Sequence, residues 1–437
     1  MRVLLCLSLL LAVSSLGVSA RKNWALLIAG SASYGNYRHQ ADICHAYHIM
    51  NKAGIPDEQI VVMMYDDIAN NEENPFKGNI INRPNGPNVY PGVLKDYTGS
   101  DVNAKTFLAV LQGNKAEVKR LTGREGKVID SGPDDYVFVN FADHGGPGIL
   151  GMPDPPYLKA TDVNAALKSM YEKKRFAKLN FYVEACESGS IFQDLLPKDI
   201  NVYVTTAANA DESSYACYYD DKRGTYLGDV YSVKWMEDTD AANLTTETFE
   251  QQFKKVKEET KTSHVQQYGD VSIASYTLDK FFGNDKQRVI SKSKPSSVRD
   301  QVPSELAIIQ TLKNRINAAP TNSVLKSRLE RELVKLQTTM LQTHDLIWDI
   351  VRTVYSEVPE KTAYDRVMKT HEDIKNFDCY YSVVDTLLGF CPGLDVTKND
   401  FALRKFYALV NLCNHNEVGK IISAAETAAV INPLCRF

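Results

Sequence analysis

Two short apolar runs in this chain stop abruptly at reactive side chains. Val137-Phe138-Val139-Asn140-Phe141-Ala142-Asp143 runs into His144-Gly145-Gly146, and Asn180-Phe181-Tyr182-Val183-Glu184-Ala185 runs into Cys186-Glu187-Ser188-Gly189. Nearly continuous apolar stretches of this length read as strands covered on both faces, and therefore as members of a parallel sheet. Open α/β sheets gather ligands and chemistry outside the carboxyl ends of their strands, so a His and a Cys that follow neighbouring strands come within reach of each other. A lone buried Cys is ordinarily a small hydrophobe, and a lone His an ordinary core or surface residue. Together, each after a strand and each trailed by glycine, they point to a thiol nucleophile, Cys186, with His144 as its general acid/base. The backbone N–H groups of Gly145 and Cys186, at two strand-end turns, are the candidate oxyanion donors.

The rest of the chain supplies the sheet. Residues 24–30, 60–65 and 202–206 read as further strands beside the His strand at 136–141, and 40–52, 101–111 and 161–174 as helices with apolar positions such as Ile43, Tyr47 and Met50 on one face. This alternation predicts a mostly parallel sheet flanked by helices, with right-handed crossovers. Residues 70–99, crowded with Asn, Pro and Gly, read as a long, substrate-facing loop. Around residue 285 the periodicity stops and a Lys-, Ser- and Pro-rich linker begins. From residue 323 Leu325, Leu329, Leu333, Leu336, Met340, Ile347 and Ile350 recur at helical spacing, which predicts a long amphipathic helix opening an all-α region.

Met1-Arg2, an apolar run over 3–13 and Val18-Ser19-Ala20 have the form of a secretory signal peptide cut after Ala20. That run is too short to span a membrane, and the late apolar stretch 421–434 is broken by Glu426 and Pro433, so no membrane span is expected. Secretion implies an oxidising compartment. Of the 8 cysteines, Cys379, Cys391, Cys413 and Cys435 crowd the end and should form two disulfides, three pairings being open. Cys44, Cys186 and Cys217 should stay reduced. Residues 21–285 carry 28 Lys and Arg against 37 Asp and Glu, whereas 286–437 carry 21 against 17. Neither part is basic enough for nucleic acid, and the opposite signs predict mutual attraction. Asn243-Leu244-Thr245 is a glycosylation sequon.

The motifs also carry a family resemblance. Tyr37-Arg38-His39-Gln40-Ala41-Asp42, Ile81-Asn82-Arg83-Pro84-Asn85-Gly86, Tyr182-Val183-Glu184-Ala185-Cys186-Glu187-Ser188-Gly189-Ser190 and Glu212-Ser213-Ser214-Tyr215-Ala216-Cys217-Tyr218-Tyr219 resemble the legumain family of asparaginyl endopeptidases, within the caspase-like cysteine peptidases. The caspase signature itself is not met, because Glu184 to Ser188 lacks its Gln and Gly. The resemblance implies a caspase-like α/β domain over 21–285, a linker or activation segment over 286–322, and a helical prodomain over 323–437. It implies cleavage after Asn, and after Asp weakly in acid, with no cofactor or metal. Arg38, Glu184 and Asp229 would form the specificity pocket, with His39 and Ser213 close by, and Asn36 would sit near His144. It further implies the pairs Cys379–Cys413 and Cys391–Cys435, self-cleavage at Asn322, inhibition by the chain's own prodomain and by cystatin-type proteins, and an endolysosomal, vacuolar or secreted location. For Asn322 the competing reading is a helix N-cap. A peptide ligase or transpeptidase using the same thiol and a non-catalytic binding homologue are the rival functions. The related GPI-anchor transamidase would carry a membrane segment.

Overall fold

The described residues of the computed structural model are 21–283, 298–391, 394, 400–415 and 424–435; the expected leader at 1–20 and most of the charged stretch after 283 lie outside them. At the centre is a six-stranded sheet in the order Gln266–Gly269, Val202–Thr206, Lys178–Glu184, Tyr136–Ala142, Asn23–Ala29, Ile60–Met63. All neighbours are parallel except Gln266–Gly269, which runs antiparallel to Val202–Thr206. The strands read as continuous apolar runs because both faces are buried. Along Asn23–Ala29, Trp24, Leu26 and Ile28 enter the core on one face, and Ala25, Leu27 and Ala29 the core on the other. Helices Ala104–Leu111 and Ala160–Glu172 lie on the first face, and Tyr37–Lys52, Val230–Ala241 and Phe249–Glu259 on the second. This is the mostly parallel, helix-flanked sheet expected from the alternation, followed by a helical C-terminal region.

The register sets up the site. Ala142 on the His strand stands opposite Glu184 on the Cys strand, so His144 and Cys186, each two residues further on, leave the sheet level with one another. Helix Tyr37–Lys52 starts three residues earlier than its apolar period suggests. Its first turn carries Arg38, His39 and Gln40, all buried, and polar side chains turned toward a buried site do not register in an apolar pattern. Residues 70–99 have little regular structure, yet Ile80, Ile81, Val89 and Val93 are buried in the core of the second face.

Part of the stretch expected as linker is ordered. Val302–Pro303 adds to the edge of the hairpin formed by Tyr215–Asp220 and Thr225–Asp229, pairing with Ala216 and Tyr215. A turn at Ser304–Leu306 then leads into helix Ala307–Ala318. The C-terminal region contains the long helix Val324–Val354 and helices Glu360–Val367, Phe377–Phe390, Phe401–Lys405, Tyr407–Asn414 and Ala424–Leu434. Disulfides join Cys379 to Cys413 and Cys391 to Cys435, at sequence separations of 34 and 44. Closing loops of that size restricts the unfolded chain by about 4 kcal/mol each. Cys44, Cys186 and Cys217 are free.

This helical region sits over the carboxyl ends of the sheet. Tyr380 and Tyr381 donate hydroxyl hydrogen bonds to the carbonyls of Pro147 (2.7 Å) and Gly148 (2.8 Å). Leu403 covers Gly146 so closely that a Cβ there would lie 2.8 Å from the Leu403 carbonyl oxygen. The ion pairs across the contact have both polarities, Lys159 with Asp385 (2.6 Å) and Glu187 with Arg404. Specific placement of charges, rather than net charge alone, therefore acts at this face.

Candidate active site

His144 is buried at the end of its strand, with its Nε2 2.9 Å from Asn36 Oδ1. Asn36 donates its amide nitrogen to the Ala32 carbonyl, which turns its oxygen toward the imidazole, so His144 Nε2 carries the proton. Asp400, from the C-terminal region, brings Oδ1 to within 3.3 Å of the same nitrogen. Burial, and then the Arg38 guanidinium, hold the imidazole well below its ordinary range, in the neutral form.

Cys186 is also buried. Its sulfur lies 3.9 Å from Ser214 Oγ and 4.0 Å from Glu305 Oε2. Burial above all, with Glu305 and Glu187 adding to it, pushes the thiol far up, so it is protonated. Among the described residues no hydrogen bond joins Cys186 to His144; one faces Glu305 and the other faces Asp400. Between them runs Gly145, where a Cβ would stand 2.1 Å from the Cys186 carbonyl oxygen. Only glycine permits that approach. Glu187, next to the thiol, has a left-handed backbone (φ 46°) and no exposed surface. Its carboxylate meets Arg404, and burial nevertheless raises it to about 8.

Beside these residues is a buried polar pocket. Arg38 donates through Nε to Asp229 Oδ1 at 2.9 Å. Glu184 Oε2 accepts from the Ser232 backbone N–H (3.0 Å) and hydroxyl (3.1 Å). His39 shares a hydrogen bond with Ser31 (2.7 Å) and lies 3.8 Å from Asp229 Oδ2. Both Nη atoms of Arg38, Glu184 Oε1 and Asp229 Oδ2 are buried without a hydrogen-bond partner. Leaving such groups unpaired costs about 1–3 kcal/mol each, more when charged. Burial raises Glu184 to about 8, with Asp229 adding to the effect.

The structure thus brings Asn36, Arg38, His39, His144, Gly145, Glu184, Cys186 and Asp229 to one end of the sheet. Ser213 lies nearby, with its hydroxyl donated to Glu305 Oε1 at 2.8 Å. Asn243 is exposed in a turn, where its Oδ1 accepts from Thr245. Asn322 is exposed with φ 60°. It is not the N-cap, because Ser323 accepts from the Lys326 N–H and caps the long helix instead. Among the described residues, His39, Asp143 and His144 are the one group able to offer a metal three ligand atoms, within 4.8 Å of each other. Sequence reasoning missed Glu305, Asp400 and Arg404, which reach the site from the C-terminal part. Glu187, inside the Cys motif, was the one signal available to find them.

A thiol and an imidazole delivered by adjacent parallel strands, beside a buried guanidinium–carboxylate pocket, define a cysteine endopeptidase. The model of the Peptidase C13 family matches residues 23–284, and the chain belongs to that family. It is 48% identical to "Legumain" of Bos taurus over 90% of this chain and 89% of the relative. It is 46% identical to "Legumain" of Mus musculus, over 94% of each, and 40% identical to "Vacuolar-processing enzyme" of Vicia sativa, over 90% of this chain and 82% of the relative. Among solved structures, caspase-1 of Spodoptera frugiperda aligns over 62% of this chain and 92% of its own at 12% identity and a TM-score of 0.36, too distant a match to inform the site. No helix among the described residues is long and apolar enough to cross a membrane.

Proposed function

We propose that this endopeptidase cleaves peptide bonds after Asn through a thioester on Cys186, and that the chain is made as a zymogen opened by acid. The unpaired groups of the pocket carry the specificity reading. A carboxamide offers one acceptor and two N–H donors, and the vacant partners are the Nη donors of Arg38 and the acceptors Glu184 Oε1 and Asp229 Oδ2. A site that depends on hydrogen bonds rejects side chains that leave its polar groups unpaired. An ionised Asp offers Asp229 no donor and sets a second negative charge against it, whereas a protonated Asp offers one, so cleavage after Asp belongs to acid. Cys186 is the nucleophile, His144 takes and returns the proton, Asn36 orients the imidazole, and the Gly145 and Cys186 N–H groups receive the oxyanion. His39 and Ser213 complete the pocket wall.

Latency has a physical basis in the same contacts. Glu305 faces the thiol, Asp400 faces the imidazole, and Arg404 is held by Glu187. Arg404 pairs with the ionised form of Glu187, so protonation of that carboxyl, which burial holds up at about 8, weakens the contact on the acid side of that value. Cleavage after the exposed Asn322 would then separate the helical prodomain, and the name "Vacuolar-processing enzyme" of one group of relatives favours a vacuolar setting. A disulfide-bonded, Asn243-glycosylated protein fits that route, and cystatin-type proteins are candidate inhibitors. The decisive measurement is kcat/KM for matched peptides with Asn, Asp, Ala, Lys or Leu before the cut, with a peptide amine added to compare hydrolysis with ligation. Equal turnover of Asn and Ala peptides would refute the pocket assignment.

A further inference from the structure

Arg38, Asp42 and His45 fall at i, i+4 and i+7 of helix Tyr37–Lys52, on one buried face. Arg38 reaches the pocket, and the other two continue away from it. Asp42 Oδ1 accepts from Asn82 Nδ2 at 2.6 Å, and the same amide nitrogen donates to the Leu227 carbonyl at 3.0 Å. Both of those partners are acceptors, so the orientation of Asn82 is fixed and its Oδ1 is turned to His45 Nδ1, 2.8 Å away. His45 Nε2 lies 3.0 Å from Asp240, whose side chain is 34% exposed. A continuous polar row therefore runs from the surface at Asp240 to the pocket.

At its inner end the row meets a conflict that one proton resolves. The Asp42 carboxyl lies against the backbone just before Asp229, its Oδ1 3.1 Å from where a Cβ on Gly228 would stand, and two carboxylates side by side have no donor between them. Asp229 Oδ1 is taken by Arg38 and Asp42 Oδ1 by Asn82, and Oδ2 of each is buried without a partner. A hydrogen on Asp42 would supply the donor that this pair lacks. Burial raises Asp229 too, but the guanidinium bound to it opposes the rise, whereas Asp42 has only a neutral amide beside it.

Resting on the reading of the pocket as the substrate side-chain site, we propose that Asp42 is a positioning residue that holds this proton, and that Asn82 and His45 fix its carboxyl beneath Asp229. The neutral acid pins Asp229 so that its remaining lone pair faces the substrate amide. Should Asp42 ionise, two like charges would face each other in a dry site, Asp229 would be displaced, and substrate would bind less well. The groups around Asp42 agree. Cys44 shares its helix, Asp229, Glu184 and Cys217 approach from the strands, and Arg38, one turn away on the same helix, is bound to Asp229. Burial first, then Asp229 and Glu184, push Asp42 well above the carboxylate range.

The test is Asp42→Asn, which keeps the shape, the acceptor for Asn82 and a donor for Asp229 but cannot ionise. The full chain is expressed, processed in acid, and its kcat and KM are followed across pH with the peptide it cleaves best. In wild type KM should rise on the alkaline side. In Asp42→Asn that rise should move up by about one pH unit or more, with the change in KM and not in kcat. Superimposable alkaline limbs would overturn the proposal, and so would a difference confined to kcat. Should Asp42→Asn fail to fold, Asn82→Ala removes the donor that favours ionised Asp42 and must move the limb in the same direction; an unmoved limb again overturns it. The wild-type peptide panel is scored separately. Loss of Asn preference there rejects the specificity reading, while the comparison of alkaline limbs still decides the role of Asp42.

Discussion

Glu187 offers a quantitative handle on how pH acts on this protein. Its carboxyl has no exposed surface, and burial raises it from 4.5 to about 8 against the opposing pull of Arg404. The folded protein holds this proton more tightly than the unfolded chain does. The resulting stabilisation is therefore complete below the unfolded value of about 4.3 and is lost as pH rises through about 8. At about 1.4 kcal/mol per pH unit, the loss between pH 5 and pH 7.5 is about 3 kcal/mol. For a region of this size that corresponds to roughly 6–12 °C in Tm. The measurement is scanning calorimetry of the full chain at the two pH values, on a Cys186→Ala background that prevents self-cleavage, with and without Glu187→Gln. Raised carboxyls at Glu184 and Asp143 act in the same direction in both proteins, so the difference in slope isolates Glu187. The glutamine variant should lose about 3 kcal/mol less between those pH values. Parallel curves for the two proteins would refute the argument.

Cys186→Ala and His144→Ala should each lower peptide cleavage by about 10⁴-fold or more with little change in Tm; substantial residual turnover in Cys186→Ala would remove it as nucleophile. Arg38→Leu should reduce the Asn-to-Ala ratio of kcat/KM by about 10²-fold or more, since the substrate amide oxygen loses its donor; the ratio in steady-state assays checks this. Incubation in acid should split wild type next to Asn322 and leave Cys186→Ala whole, as read by terminal sequencing of the fragments. Cutting of isolated Cys186→Ala at the same bond would show that another protease is responsible.

The central sheet was legible because its strands are buried on both faces, which turns a tertiary fact into a local run of apolar residues. The same holds for the two reactive strand ends. Other elements were invisible for reasons that can be named. Gln266–Gly269 is an edge strand with Gln266, Gln267 and Tyr268 only half buried, so it carries no apolar run. Val302–Pro303 is a strand only because the hairpin edge at Tyr215 and Ala216 accepts it. Helix Ala307–Ala318 follows a stretch of Lys, Ser and Pro and buries few side chains, among them Ala307, Ile309 and Leu312.

The covering residues mark a different limit. Asp400 and Arg404 lie more than two hundred positions from His144 and Glu187, on the five-residue helix Phe401–Lys405 and the residue before it. Nothing in their local sequence distinguishes them from solvated charges, which is what an isolated acidic or basic residue usually is. Glu187 is the informative member, since an acid beside a strand-end thiol, buried where its charge is costly, favours a cation nearby. Its own domain leaves that need unmet at the site, and the C-terminal region meets it with Arg404. The proposed nucleophile is therefore readable from one strand, whereas the contacts that cover it belong to two regions; a buried acid in the first is met by a cation from the second without its sequence saying where in the chain that cation is written.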